Sequence, residues 1–114
     1  MEGTILRVWC READLRGEID AYLQTIGGIE RYSVEERKRD GITRPEFGDL
    51  IYHSLEKHQF IPSFWGHKPS VGMHGHHPRY PNQHGVCLSN RKGDFEGEIG
   101  ADEFYQLLAG HLSA

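Results

Sequence analysis

The 114-residue chain carries 37% hydrophobic residues, 13 basic and 17 acidic side chains and a net charge of −4, a composition unlike that of disordered or membrane proteins and a length that suits one domain with one modest core. No apolar run approaches the ~18 residues that a spanning helix needs. Residues 1–60 hold 9 basic and 12 acidic groups and residues 61–114 hold 4 and 5, so neither half has the positive footprint of a nucleic-acid partner. The start, Met1-Glu2-Gly3-Thr4, is acidic and leads into a strand-like run, which is not the pattern of a signal peptide. Cys10 and Cys87 are isolated, with no C-x-x-C pair, and read as buried thiols of a reducing, cytoplasmic compartment.

Thr4 to Cys10 is mostly apolar and partly β-branched, the signature of a buried strand. Leu15, Ile19, Tyr22 and Ile26 recur as one face of a helix over 12–26. Glu12 and Asp14 stand in its first turn, where the dipole favours anions, and Gly27-Gly28 supplies its stop. Ile29 to Tyr32 is a short strand. Ser33-Val34-Glu35-Glu36 fits a capping box, Ser33 at the N-cap and Glu36 reaching back. The short helix it opens ends at Gly41, and its mixed charges mark a solvated face. Phe47 to His53 reads as a strand, and Gln59 to Trp65 as a weaker one, because Pro62 cannot donate to a ladder. Residues 66–85 hold four glycines with Pro69, Pro78 and Pro81 and predict a long irregular loop, functional or disordered. Gly85 to Leu88 reads as a short buried strand. In Ala101 to Leu112, the spacing of Phe104, Leu107, Leu108 and Leu112 predicts an amphipathic helix. The pattern implies an α+β class: one domain over 1–114, built as a small mixed sheet with helices on one face.

Of 8 histidines, seven (His53, His58, His67, His74, His76, His77 and His84) fall within residues 53–84. Imidazole is the commonest metal ligand, and glycine beside His74 lets the backbone approach an ion or a phosphate closely. Pro78 and Pro81 reduce the entropy lost on ordering the loop. Spacing alone leaves two readings open. Adjacent His76 and His77 cannot face the same way in extended chain, and no pair of histidines has ligand spacing on a predicted helix, so the loop is either a metal-ligating segment or an exposed, hydrogen-bonded one. There is no G-x-S-x-G elbow and no P-loop. Ser33, Ser54, Ser63, Ser70 and Ser89 lack the context of a nucleophile, and Cys87 in its apolar run reads as a structural thiol. No catalytic residue is assigned.

Gly72-Met73-His74-Gly75, then Pro78 and Gln83-His84-Gly85-Val86, resemble the C-terminal segment of the type I phosphodiesterase / nucleotide pyrophosphatase family of the alkaline phosphatase superfamily. Arg44-Pro45-Glu46-Phe47-Gly48-Asp49-Leu50-Ile51 is similar to that family's R-x-G-D-L strand. Gly27 to Tyr32 and Ser33 to Glu36 are similar to its preceding strand and turn, and the last helix lies where the family has its final helix. The resemblance runs from about residue 4 to 112, and Gly-x-His-Gly is its specific part. It implies the C-terminal part of an alkaline-phosphatase-like α/β fold and a two-metal, usually dizinc, hydrolase of phosphate esters with a Thr or Ser nucleophile. Two metal ions there bracket the phosphoryl group and stabilise both attacking and leaving oxygens. His74 falls on a zinc ligand, while His84, and His76 beside the ligand, fall on supporting or substrate-facing positions.

The departures are as informative. His76 and His77 replace an aromatic and an Asp or Asn, Met73 replaces Thr, and the residues after Leu88, Ser89 to Phe95, differ. The family's nucleophile segment, its D-x-x-x-H pair and its S-D-H-G motif are missing, and catalytic zinc takes three protein ligands per ion. The resemblance therefore implies a fragment that is inactive alone and needs an N-terminal catalytic lobe, or that self-associates. The alternative is a non-catalytic α+β module whose His-rich loop binds a metal or an anion, and a third reading is an interaction piece with no ligand.

Overall fold

The computed structural model describes residues 3–64, 66–90, 93 and 96–112, which fall into two compact units, Met1–His84 and Gly85–Ala114. The expectations that touch Met1, Glu2, Trp65, Asp94 and Phe95 lie at those positions outside the described residues. The fold is a small α+β one with a three-stranded antiparallel sheet and three helices.

In the first unit, β1 (Ile5–Val8) leads into α1 (Ala13–Gln24), β2 (Ile29–Arg31), α2 (Val34–Arg39) and β3 (Leu50–Ser54). The strand order is β1-β3-β2, with β3 antiparallel to both neighbours. The mixed sheet expected from the sequence is thus corrected to an antiparallel one. β1 and β2 do run the same way, joined through α1, but β3 inserts between them and no parallel pair forms. Cross-strand partners share a face, and Leu6 pairs with Tyr52, Val8 with Leu50 and Arg31 with Tyr52. That face meets α1. Leu23, Leu50 and Tyr52 are its buried centre, with Leu6, Val8, Ile19, Ile29 and Phe60 packed around them. The core side of α1 is therefore the Ile19–Leu23 pair, and the expected Leu15, Tyr22 and Ile26 are exposed. The Tyr52 hydroxyl donates to Asp20 Oδ1 at 2.6 Å, and Asp20 Oδ2 meets Arg31 at 2.7 Å. Burial first, and then the bond to Asp20, push the Tyr52 hydroxyl up to about 12.

Local chemistry explains the remaining boundaries. The capping box forms as expected, with Ser33 Oγ accepting from the Glu36 amide and Glu36 Oε2 from the Ser33 amide. The strand expected from Phe47 begins only at Leu50. Pro45 instead opens a 3₁₀ turn through Phe47, and Gly48 follows at φ 111°. A side chain at Gly48 would press to 3.2 Å of the Val8 carbonyl. Residues 59–64 form no strand, and Ser63 makes only an isolated bridge to Gly66. Residues 66–84 are irregular apart from the 3₁₀ turn Pro81–Gln83.

The second unit carries α3 (Ala101–Leu112), the helix that the apolar spacing predicts. The Gly100 amide donates to Glu103 Oε2 at 2.7 Å at its start. Residues 85–88 are not the expected buried strand. Val86 and Leu88 are exposed and Cys87 is half-buried in irregular backbone. An apolar run becomes a strand only when another edge satisfies its backbone. Cys10 is likewise half-buried.

Candidate functional site

The sheet face away from α1 carries Ile5, Glu30, Ile51 and His53, and the loop that holds the Gly-Met-His-Gly motif is fastened there. Thr4 Oγ1 donates to the Gly75 carbonyl at 2.7 Å. The Gly75 and His76 amides both donate to Gln83 Oε1, at 2.9 and 3.1 Å, so one side chain closes the loop on itself. Gly75 sits at φ +87°, in the left-handed region that glycine adopts without strain.

These anchors send the three histidines singled out in the sequence to different places. His74 is exposed, on an open groove with Thr4, Arg7, Phe64, Ser70 and Met73. His76 is half-buried, with Nδ1 3.4 Å from both the hydroxyl and the carbonyl oxygen of Ser54. His84 Nε2 donates to the Pro78 carbonyl at 3.0 Å, a stitch across the loop. No group of three His, Cys, Asp or Glu among the described residues is arranged to hold a metal ion. The described donors therefore do not by themselves fit a zinc site: His74 has a groove beside it but, among the described residues, no second and third ligand.

The densest chemistry lies on residues that sequence reasoning did not single out. His53, in the middle of β3, and His77, from the loop, are both buried, with 2% and 6% of their surfaces exposed. Their ring centroids are 4.9 Å apart, and the buried Tyr32 ring lies 5.1 Å from His77 and 5.7 Å, edge-on, from His53. The Arg79 amide donates to His77 Nδ1 at 3.2 Å. Neutral His77 must then carry its proton on Nε2, which faces Glu36 Oε1 at 3.7 Å, beyond hydrogen-bond range. Among the described residues, neither ring nitrogen of His53, nor Nε2 of His77, makes a well-formed hydrogen bond, and the Ser54 backbone bears on the His53 ring as a polar partner that favours its charged form.

Carboxylates and guanidinium groups surround these rings. The Tyr32 hydroxyl donates to Asp40, and Arg79 pairs with Glu30 and lies over Tyr80. Burial first, and then the charge of His77 on His53 and of Arg79 on His77, hold both rings below the ordinary imidazole range. Burial and the bond to Asp40 push the Tyr32 hydroxyl up. The Ser33 amide holds Glu36 below the usual carboxylate range, and Arg79 does the same for Glu30. The arrangement thus keeps two neutral imidazoles inside a ring of ionised carboxylates. One sequence signal points to it: a histidine inside the apolar run Leu50-Ile51-Tyr52-His53, at a strand position that alternates with the core side chains.

Comparison with family models, with curated proteins and with solved structures found no match to the chain. No described helix is long and apolar enough to cross a membrane.

Proposed function

We propose that the chain is the C-terminal portion of a metal-dependent phosphodiesterase or phosphatase, related to the type I phosphodiesterase / nucleotide pyrophosphatase enzymes and to the C-terminal part of their α/β fold. It supplies His74 as one zinc ligand and is inactive alone. A separate catalytic lobe provides the Thr or Ser nucleophile and the other ligands, and a cytoplasmic setting suits two unpaired thiols. One observation carries the reading: Gly72-Met73-His74-Gly75 presents an exposed imidazole on a groove while the backbone just after it is pinned by Thr4 and Gln83. A ligand held on a fixed backbone loses little entropy when an ion arrives. His84 supports that loop through Pro78, and His76 stands between it and Ser54.

Hydrolysis of a nitrophenyl phosphodiester in the presence of zinc tests the proposal. The chain alone should give no turnover. Mixing it with a polypeptide that carries a Thr nucleophile segment and an S-D-H-G motif should restore turnover, and His74→Ala should remove it again. Tight one-to-one zinc binding by the isolated chain, lost in His74→Ala, would instead establish the self-contained binding module.

A further inference from the structure

We propose that the stacked His53–His77 pair is a proton-operated latch: uptake of a proton by either ring expels His77 from its seat and frees residues 74–84 from the sheet, carrying His74 with them. The inference is independent of what His74 binds. Its basis is a mismatch between the two rings and their seat. Both are buried and stacked 4.9 Å apart, and three of their four nitrogens make no well-formed hydrogen bond among the described residues. Native structures rarely leave buried polar atoms so. Such a seat accepts neutral rings and penalises charged ones, because a new cation there loses its hydration.

Every charged neighbour bears on the sign. From β2, Glu30 faces His53, and from α2 and its end, Glu36 and Asp40 face His77; all three favour the charged form. Each carboxylate is already engaged, Glu30 with Arg79, Glu36 with the Ser33 amide and Asp40 with Arg39 and Tyr32. From the loop, Arg79 opposes charge on both rings and His77 opposes it on His53; from α2, Arg39 opposes it on His77, while the Ser54 backbone favours a charged His53. Burial is the largest influence on each, and the net direction is toward the neutral form.

Opening is local because the loop's ties to the sheet are polar and partly exposed. Among the described residues, these ties include the Thr4–Gly75 bond, the long contact of His76 to Ser54 and the half-exposed Arg79–Glu30 pair. The α1 core does not include His77. A released His77 regains water, so acid favours the open loop. Each proton taken up on opening raises the opening constant about tenfold per pH unit between the ordinary imidazole value, about 6.5, and the lowered one.

The test is amide hydrogen exchange by NMR on the full chain between pH 7.5 and 5.0, with the histidine ring shifts followed in the same samples. Expected are His53 and His77 rings that stay neutral well below 6.5, and protection of the His76 and Tyr80 amides, both bonded inside the loop, that falls at least tenfold more than that of the β3 amides. His77→Phe and His53→Phe, which keep a ring but cannot be protonated, should blunt the loss. Rings that titrate at the ordinary value would overturn the latch, as would loop protection that does not change, or loop and β3 amides that fall together. The ring titration of the unaltered chain decides the matter even if neither variant folds.

Discussion

The two faces of the sheet are built on different principles. One is closed by a helix and centred on Leu23, Leu50 and Tyr52, with the Tyr52 hydroxyl, neutral at physiological pH, and the Arg31–Asp20 ion pair at its margin. The other is closed by an irregular loop and made of His53, His77 and Tyr32 within a ring of charges. The first face is held by burial that pH does not touch. The second is held by rings that must remain neutral, and it is the one that positions the Gly-Met-His-Gly loop. In this molecule stability and candidate chemistry occupy opposite sides of three strands.

Substitutions should separate the two. The largest effect belongs to the helix side: Leu50→Ala should cost about 2–5 kcal/mol and lower the melting temperature by roughly 10 °C or more, by calorimetry, nearly equally at pH 5.5 and 7.5. A loss much greater at the lower pH would mean that the faces are not independent. Next comes the pH dependence of the unaltered chain. Its imidazoles are held low in the folded state, so the unfolded state binds more protons below about 6.5. Stability is then fully present above that value and falls with acidification by up to about 1.4 kcal/mol per pH unit per ring. Glu30, Glu36 and Asp40 are also held low, but their contribution is lost only below about 4.5. Urea unfolding at intervals of half a pH unit should show two separate descents, and His77→Phe should flatten the upper one.

The capping box should follow. Ser33→Ala should cost about 1 kcal/mol, and loosen the helix end that holds Glu36 against His77. Its success as a sequence signal shows which parts of the fold are legible before a structure exists. A cap needs four consecutive residues, and the helix faces need only a period, so α2 and α3 form where their residues imply. β3 was legible in kind but not in its start, because Pro45 and Gly48 impose a turn that the apolar run conceals. Gly85 to Leu88 forms no strand despite its apolar run, because strand formation depends on a partner edge that composition cannot show. The histidine count points to the loop, but not to the burial of His53 and His77. Burial of His53 and His77 arises from a contact between residues 24 positions apart, and their sequence neighbours do not encode it.

Smaller effects complete the contrast. Arg79→Ala removes a half-exposed pair with Glu30 and should change stability by about 1 kcal/mol at most, less in high salt. His74→Ala should leave stability within about 0.5 kcal/mol of the unaltered chain, since its ring is exposed.

The role of His74 as one ligand of an ion whose other ligands lie on a different polypeptide is tested most directly by cobalt titration, which reports coordination by visible absorption. The chain alone should give only the weak absorption of a loosely held, water-rich ion. Intense tetrahedral bands should develop only with the catalytic lobe present and vanish with His74→Ala. Intense bands from the chain alone, at one equivalent of cobalt, would show a complete ligand set within it and contradict this reading.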